Sequence, residues 1–380
     1  MIKNLSGLPP RTFYALIGFF VISALLLAGC DSGGKTAGSS SNANNGEGCT
    51  QVGVLLPDTT SSIRWETEDH PLLVKAITAA IPNVHIDYTN AQGNSDSQLA
   101  QAETDLAKGD CILVVAAHDS VAASAIVTQA KAYHVPVIAY DRLIQSKDTS
   151  YYVSFDGVAV GDLQGQYIAE HYQQYVSAGN INTVVISGSQ TDSNGLLFSQ
   201  GLHKALDPLF ANGSLKSAYE SFTPDWNNAS AQTEMEVALN DLHNNVQIAY
   251  VANDGMADAA ITALKAAHLN GKVLVTGQDA TAQGINHILA GDQSMTVYKP
   301  IEKEAQSVGS LVQAIYSGSG VNAQTKGVTT PTADGGDIPS VLDKPIAVDK
   351  TNIASTVIAD HFVTKNEVCN GIPAGTDGVC

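Results

Sequence analysis

The stretch "VPVIAYDRLI", residues 135–144, decides how the chain is read. Val135 to Tyr140 are apolar and β-prone, so they form a buried strand. That strand stops at a carboxylate and a guanidinium side by side, Asp141 and Arg142. Alone, such a pair is an ordinary surface ion pair. It gains meaning because other apolar runs in the chain close in the same way.

Outward from it, the pattern alternates strand and helix. Before it come the strands "TQVGVLLP", "VHIDYTNA" and "CILVVAA", with helical patterns over 69–80, 95–109 and 119–133. After it come "YYVSFD", "NTVVISGS", a strand near 216–221, "QIAYVAND", "KVLVTGQDA" and "SMTVYKP". Helices are expected over 160–177, 195–207, 229–243, 256–267, 281–290 and 302–316. A Gly/Thr-rich segment then leads to a strand "KPIAVDK" and a helix over 351–359. Alternation of this kind argues for parallel sheets covered on both faces. The units fall into two similar sets, so the fold class is α/β with two doubly wound parallel-sheet lobes.

In such sheets ligands bind outside the carboxyl ends of the strands. Arg64-Trp65 follow the first strand and Asp141-Arg142 the fourth. Asp192-Ser193-Asn194 follow "VVISGSQT", and Trp226 follows the strand near 216–221. Asn253-Asp254, Asp279 and Lys299 close the next three. Several have plainer readings taken singly: Asn253 and Asp279 as helix caps, Trp226 as packing, Lys299 as a solvated charge. Together they have the chemistry of sugar recognition. Asp accepts, Arg and Lys donate, and Asn does both, while both tryptophans of the chain offer flat faces to ring C–H groups. Asn94 and Asp96 read as helix caps.

The bulk properties set further bounds. With 19 basic against 37 acidic residues the net charge is −18, which repels nucleic acid. The first 29 residues carry only Lys3 and Arg11 as charges, then the apolar run "FYALIGFFVISALLLAGC". That is the secretory signal pattern. Its end, "LLAGC", resembles a bacterial lipobox, which implies cleavage before Cys30 and a lipid on its sulfur. The expected location is the cell envelope, outside the cytoplasmic membrane. Residues 30–48 are rich in Gly, Ser and Asn and read as a flexible tether. Four cysteines remain in an oxidising compartment. Cys49 and Cys111 open strands and are candidates for one bridge, Cys369 and Cys380 for another, with other pairings open. Neither a Cys-x-x-Cys nor a His/Cys cluster points to a metal, and no cofactor is expected.

The stretches "SSIRWETED", "VIAYDRLI", "YYVSFDGVAVGDLQG", "SGSQTDSNGLLF", "YVANDGMADAAITAL", "VTGQDATAQGI" and "QSMTVYKPI" resemble the D-xylose-binding periplasmic proteins of bacterial ABC transporters, from about residue 50 to 362. The resemblance implies a type I periplasmic binding protein: two lobes joined by three crossovers, closing on one monosaccharide. It assigns Arg64, Trp65, Asp141 and Arg142 to one half of the cleft. It assigns Asn194, Trp226, Asn253, Asp279 and Lys299 to the other half or the hinge, with the two tryptophans sandwiching the ring. It places the first lobe at 49–156 plus 300–323, the second at 157–299 plus 340–368, and leaves 369–380 as a tail. The expected role is that of a monomeric, lipid-anchored receptor, not an enzyme, delivering sugar to an ABC permease. The same binding could instead serve a chemoreceptor or histidine kinase, and arabinose, glucose or galactose stand beside xylose.

Overall fold

The computed structural model describes residues 45–380. The expected signal sequence, Cys30 and most of the tether lie outside the described residues. Residues 45–48 form a turn docked on the body of the chain, with Gly48 N donating to Tyr316 O at 2.8 Å.

The alternation is present. The first series runs β1 (Gln51–Leu56), α1 (His70–Ala80), β2 (His85–Asn90), α2 (Ser95–Lys108), β3 (Ile112–Val115), α3 (Ser124–Ala132), β4 (Val137–Tyr140) and β5 (Tyr151–Phe155). The second runs α4 (Gly157–His171), β6 (Asn182–Ser187), α5 (Ser193–Ala211), β7 (Lys216–Phe222), α6 (Asn228–Asp241), β8 (Ile248–Val251), α7 (Asp254–Ala266), β9 (Leu274–Val275), α8 (Ala282–Ala290) and β10 (Thr296–Tyr298). The helices start where capping side chains sit. Asn94, Asp156, Asp192, Asn227, Asn253 and Thr281 each accept a hydrogen bond from a backbone N–H of the first turn.

Two sheets result. One has the order β11-β12-β5-β4-β3-β1-β2, where β11 is Thr329–Pro331 and β12 is Asp337–Asp343. All its neighbours are parallel except β11 against β12. The other has the parallel order β7-β6-β8-β9. Beside it β10 pairs antiparallel with β13 (Ile346–Val348), and a Gln278–Val297 bridge ties that pair on. The central strands β1, β3, β4, β6 and β8 are almost wholly buried, as strands covered on both faces must be. In the second lobe α4 lies hard against α5. A Cβ on Gly161 would fall 1.8 Å from Phe198 O, so that approach requires glycine.

The chain passes between sheets three times: at Asp156 between β5 and α4, at Pro300 between β10 and α9 (Ile301–Ser317), and between Asp343 and Ile346. The last differs from the expectation. Residues 340–343 do not open the second lobe; Ser340–Asp343 pair with Tyr152–Phe155 in the first sheet. Residues 351–359 form consecutive turns rather than the expected helix, with hydrogen bonds of mixed span. Thr, Ser, Asn and β-branched residues crowd that segment, and their side chains compete for the backbone groups a helix would use. Its Ile353 and Val357 are still buried.

Cys49 is bonded to Cys111, and Cys369 to Cys380. The first bond links the starts of β1 and β3, which are neighbours in register. The second ties the tail to a small apolar cluster that includes Ile285, Val357, Val368 and Val379.

Candidate functional site

The carboxyl ends of both parallel sheets face one cavity. After β1 the loop is folded by Asp58, whose carboxylate accepts from Thr60 N (2.7 Å), Ser61 N (2.6 Å) and Ser61 Oγ (2.7 Å). The chain then enters a single π-helical turn, Trp65–Asp69. Such turns place side chains that a regular helix would rotate apart. Arg64 reaches back to grip Asp69 with two nitrogens, Nε at 2.8 Å and Nη2 at 2.6 Å. Its remaining donors go to Asp141 (3.0 Å) and Glu304 (3.2 Å). Tyr140 Oη donates to the same Asp69 at 2.5 Å. The Trp65 indole donates to Ser61 Oγ, with the guanidiniums of Arg64 and Arg142 4.8 and 5.1 Å from its centre.

At the end of β4, Asp141 takes a left-handed backbone conformation, φ 57°, which few non-glycine residues tolerate. Its carboxylate accepts from Lys299 Nζ at 2.7 Å, Arg64 Nη1 at 3.0 Å and Asn194 Nδ2 at 2.8 Å. Burial acts to raise the Asp141 pKa, but Lys299 and Arg64 outweigh it and hold the carboxyl far below its usual range. Arg142 donates to Ala117 O and Ser61 Oγ. Its Nε lies 2.7 Å from Asp192 Oδ2, an ion pair without hydrogen-bond alignment.

The second lobe contributes in kind. Asp192 caps α5 and accepts from Trp226 Nε1 at 3.0 Å. The turn after β7 holds Asp225 and Trp226 in consecutive left-handed conformations, φ 52° and 55°. The indole lies on bare backbone: a Cβ on Gly188 would fall 2.1 Å from its Cη2. Phe198 meets it edge-on, ring centres 6.0 Å apart. Asn253 does cap α7, and its Nδ2 also donates across to Ser61 O at 3.4 Å. Asp279 accepts from Ser62 Oγ of the opposite lobe at 3.1 Å and from Gln278 Nε2. Burial pushes its carboxyl up, opposed by Lys299 and Arg64.

All nine residues that the resemblance assigned to the cleft line one cavity, and each is at most 8% exposed, whereas the strand-end neighbours Ser193 and Asp254 do not line it. The side chains close in tightly, leaving a cavity of about 30 Å³. Ser61, Ser62, Asp192, Phe198 and Gln278 complete the walls and were not among the nine. Ser61 and Ser62 sit in an unremarkable loop, and Phe198 reads as a core residue of its helix. Asp192 stood in the quoted strand end, and it is the residue there that pairs with Arg142. Three buried cations face buried carboxylates, and amide and hydroxyl groups lie between them. That arrangement offers charge-assisted donors and acceptors to a neutral hydroxylated molecule. Among the described residues no group of His, Cys, Asp or Glu has metal-binding geometry, and no helix is long and apolar enough to cross a membrane.

Two α/β lobes with three connections and a polar cavity at the facing strand ends define a type I periplasmic binding protein fold. The sequence agrees: residues 52–319 match the family of periplasmic binding protein domains, and the chain belongs to that family. It is 35% identical over 307 residues to the D-xylose-binding periplasmic protein of Haemophilus influenzae, covering 80% of this chain and 88% of that one. It is 35% identical over 320 residues to the protein of the same name from Escherichia coli, covering 84% and 92%. Among solved structures, an ABC transporter solute-binding protein from Clostridium phytofermentans with bound β-D-glucose superposes with a TM-score of 0.74 at 28% identity. That match covers 84% of this chain and 99% of that one. These relatives are named as binding proteins, not enzymes.

Proposed function

We propose that the chain is the substrate-binding component of an ABC sugar importer and takes one monosaccharide, D-xylose foremost, between its lobes. The observation that carries this reading is the cavity itself. Arg64, Trp65, Asp141 and Arg142 from one lobe meet Asn194, Trp226, Asn253 and Asp279 from the other, with Lys299 at the crossover. A ligand shifts an open–closed equilibrium only by its differential affinity for the two forms, which requires contacts from both sides. Here both lobes supply hydrogen-bonding groups and one indole each, and the sugar's ring faces pack against Trp65 and Trp226. The closed form is what a permease would recognise, and a lipid on Cys30 would hold the protein near it. The names of the relatives support xylose; glucose, arabinose and galactose belong in the same trial. No step of chemistry is needed: the groups bind and release an unchanged sugar.

The test is calorimetric titration with pentoses and hexoses, preceded by a thermal-shift screen. Binding with a dissociation constant in the nanomolar to micromolar range, with xylose among the tightest, is the expected result. Absence of heat with every pentose and hexose would overturn the reading.

A further inference from the structure

Outside the cavity the two lobes meet through a separate set of contacts. Ser120 follows β3 in the first lobe, on a turn held by Asp119, whose carboxylate accepts from Val121 N and Ala122 N at 2.8 Å each. The Ser120 N–H donates across to Thr191 O at 2.8 Å, and its Oγ accepts from Ser193 N at 3.0 Å. Ser193, the first residue of α5, returns the contact: its Oγ accepts from Leu143 N, just past β4, at 2.8 Å. Three hydrogen bonds thus cross between the lobes through two serines. Ser120, Leu143 and Ser193 are each at most 5% exposed, and none of them lines the sugar cavity. The crossovers leave from β5, β10 and β12, so the three bonds tie strand ends that the chain itself does not connect.

We propose that Ser120 and Ser193 form a latch that favours the closed form whether or not sugar is present, and so set the affinity for every sugar alike. The inference rests on the sugar-receptor reading of the cavity. Wall contacts such as Asn194–Asp141 and Ser62–Asp279 lie inside the cavity, where sugar hydroxyls can take over their groups. The latch bonds lie outside it and are not exchanged in this way, so their free energy belongs to closure itself. Opening breaks all three and hands their groups to water. The apparent affinity of a ligand for the closed form scales with the fraction of protein already closed. The latch therefore multiplies affinity by one factor for all sugars, while the cavity walls decide among them. Ser193 stands between Asp192 and Asn194, which both line the cavity, but its own hydroxyl is spent on Leu143.

The experiment compares the full chain with Ser193→Ala and Ser120→Ala, each checked for folding by circular dichroism. The two variants remove different hydroxyls of the same latch, so either one alone tests it. Small-angle X-ray scattering measures the sugar-free proteins, and calorimetry titrates each with xylose, arabinose, glucose and galactose. Without sugar both variants should have a larger radius of gyration than wild type, and at saturating sugar the radii should agree. Every sugar that binds should be weakened about fivefold, by the same factor within about twofold. Equal radii without sugar overturn the latch. Unchanged affinities overturn it as well, and so does weakening confined to one sugar, which would make the serines part of the selective wall. If wild type binds no sugar at all, the receptor reading falls, while the sugar-free scattering still decides the latch.

Discussion

Replacing Asp141 by asparagine removes one negative charge from the middle of the cavity wall while keeping the side-chain shape. Asparagine is also among the few residues that accept the left-handed backbone found there, φ 57°. Two buried cations then lose a partner: Lys299 at 2.7 Å and Arg64 at 3.0 Å. Arg64 keeps its two-nitrogen grip on Asp69. Lys299, only 4% exposed, makes no other ion pair among the described residues. Breaking a buried pair by removing one member costs about 3–5 kcal/mol, because the other charge stays buried. The amide oxygen still accepts from Lys299, so the expected loss lies at the lower end, about 3 kcal/mol. Urea unfolding at neutral pH measures it. The pH dependence follows from the low pKa of Asp141. Its carboxyl titrates lower in the folded than in the unfolded chain, so its contribution is present above about pH 4 and fades as pH falls below that value. The gap between wild type and variant should therefore narrow in acid. The variant should also bind sugar about tenfold or more weakly, since a charge-assisted hydrogen bond to a hydroxyl is lost. Stability within about 0.5 kcal/mol of wild type at neutral pH would refute the account of this wall.

Other expectations follow from single contacts. Gly188→Ala places a methyl 2.1 Å from the Trp226 indole, so the ring must shift. Sugar affinity should drop at least tenfold for about 1–3 kcal/mol of stability, and an unchanged affinity by calorimetry would show that the indole does not bear on the ligand. Burial, reinforced by the charge of Asp141, pushes the Glu304 carboxyl well above its usual value. Such a group costs the folded state stability as pH rises past about 4.3, so Glu304→Gln should gain on wild type as pH is raised above that value; urea titrations showing the opposite trend would contradict this. Replacing Cys49 and Cys111 by serine opens a bond spanning 62 positions and should cost about 4 kcal/mol of unfolding free energy. A loss under about 1 kcal/mol would mean the bond is not a staple of the first lobe.

Much of this was legible because parallel sheets put their function in one place. Buried strands read as apolar runs, and the residue after each run is aimed at the cleft whatever its neighbours do. That is why Asp141, Asn253 and Lys299 were readable from strand ends lying far apart in the sequence. The supporting carboxylates were not. Asp69 and Glu304 occupy helical turns where a charge ordinarily faces solvent, and only the fold reveals that both point at Arg64. Strand β12 was missed because "DIPSVLD" carries a proline, and a residue without an N–H argues against an interior strand. The structure accommodates it by register: Pro339 faces Thr329 of β11, and pairing with β5 begins one residue later, at Ser340. Ser61 gave no signal because its part is played through Asp58, Trp65 and Arg142, none of which is its sequence neighbour.

The most direct measurement is a crystal structure of the mature protein grown with the sugar that binds most tightly. Density for one pyranose between the Trp65 and Trp226 indoles is expected, its hydroxyls within hydrogen-bond distance of Asp141, Asn253 and Asp279. A sugar bound elsewhere on the surface, with those three side chains touching only one another, would contradict it.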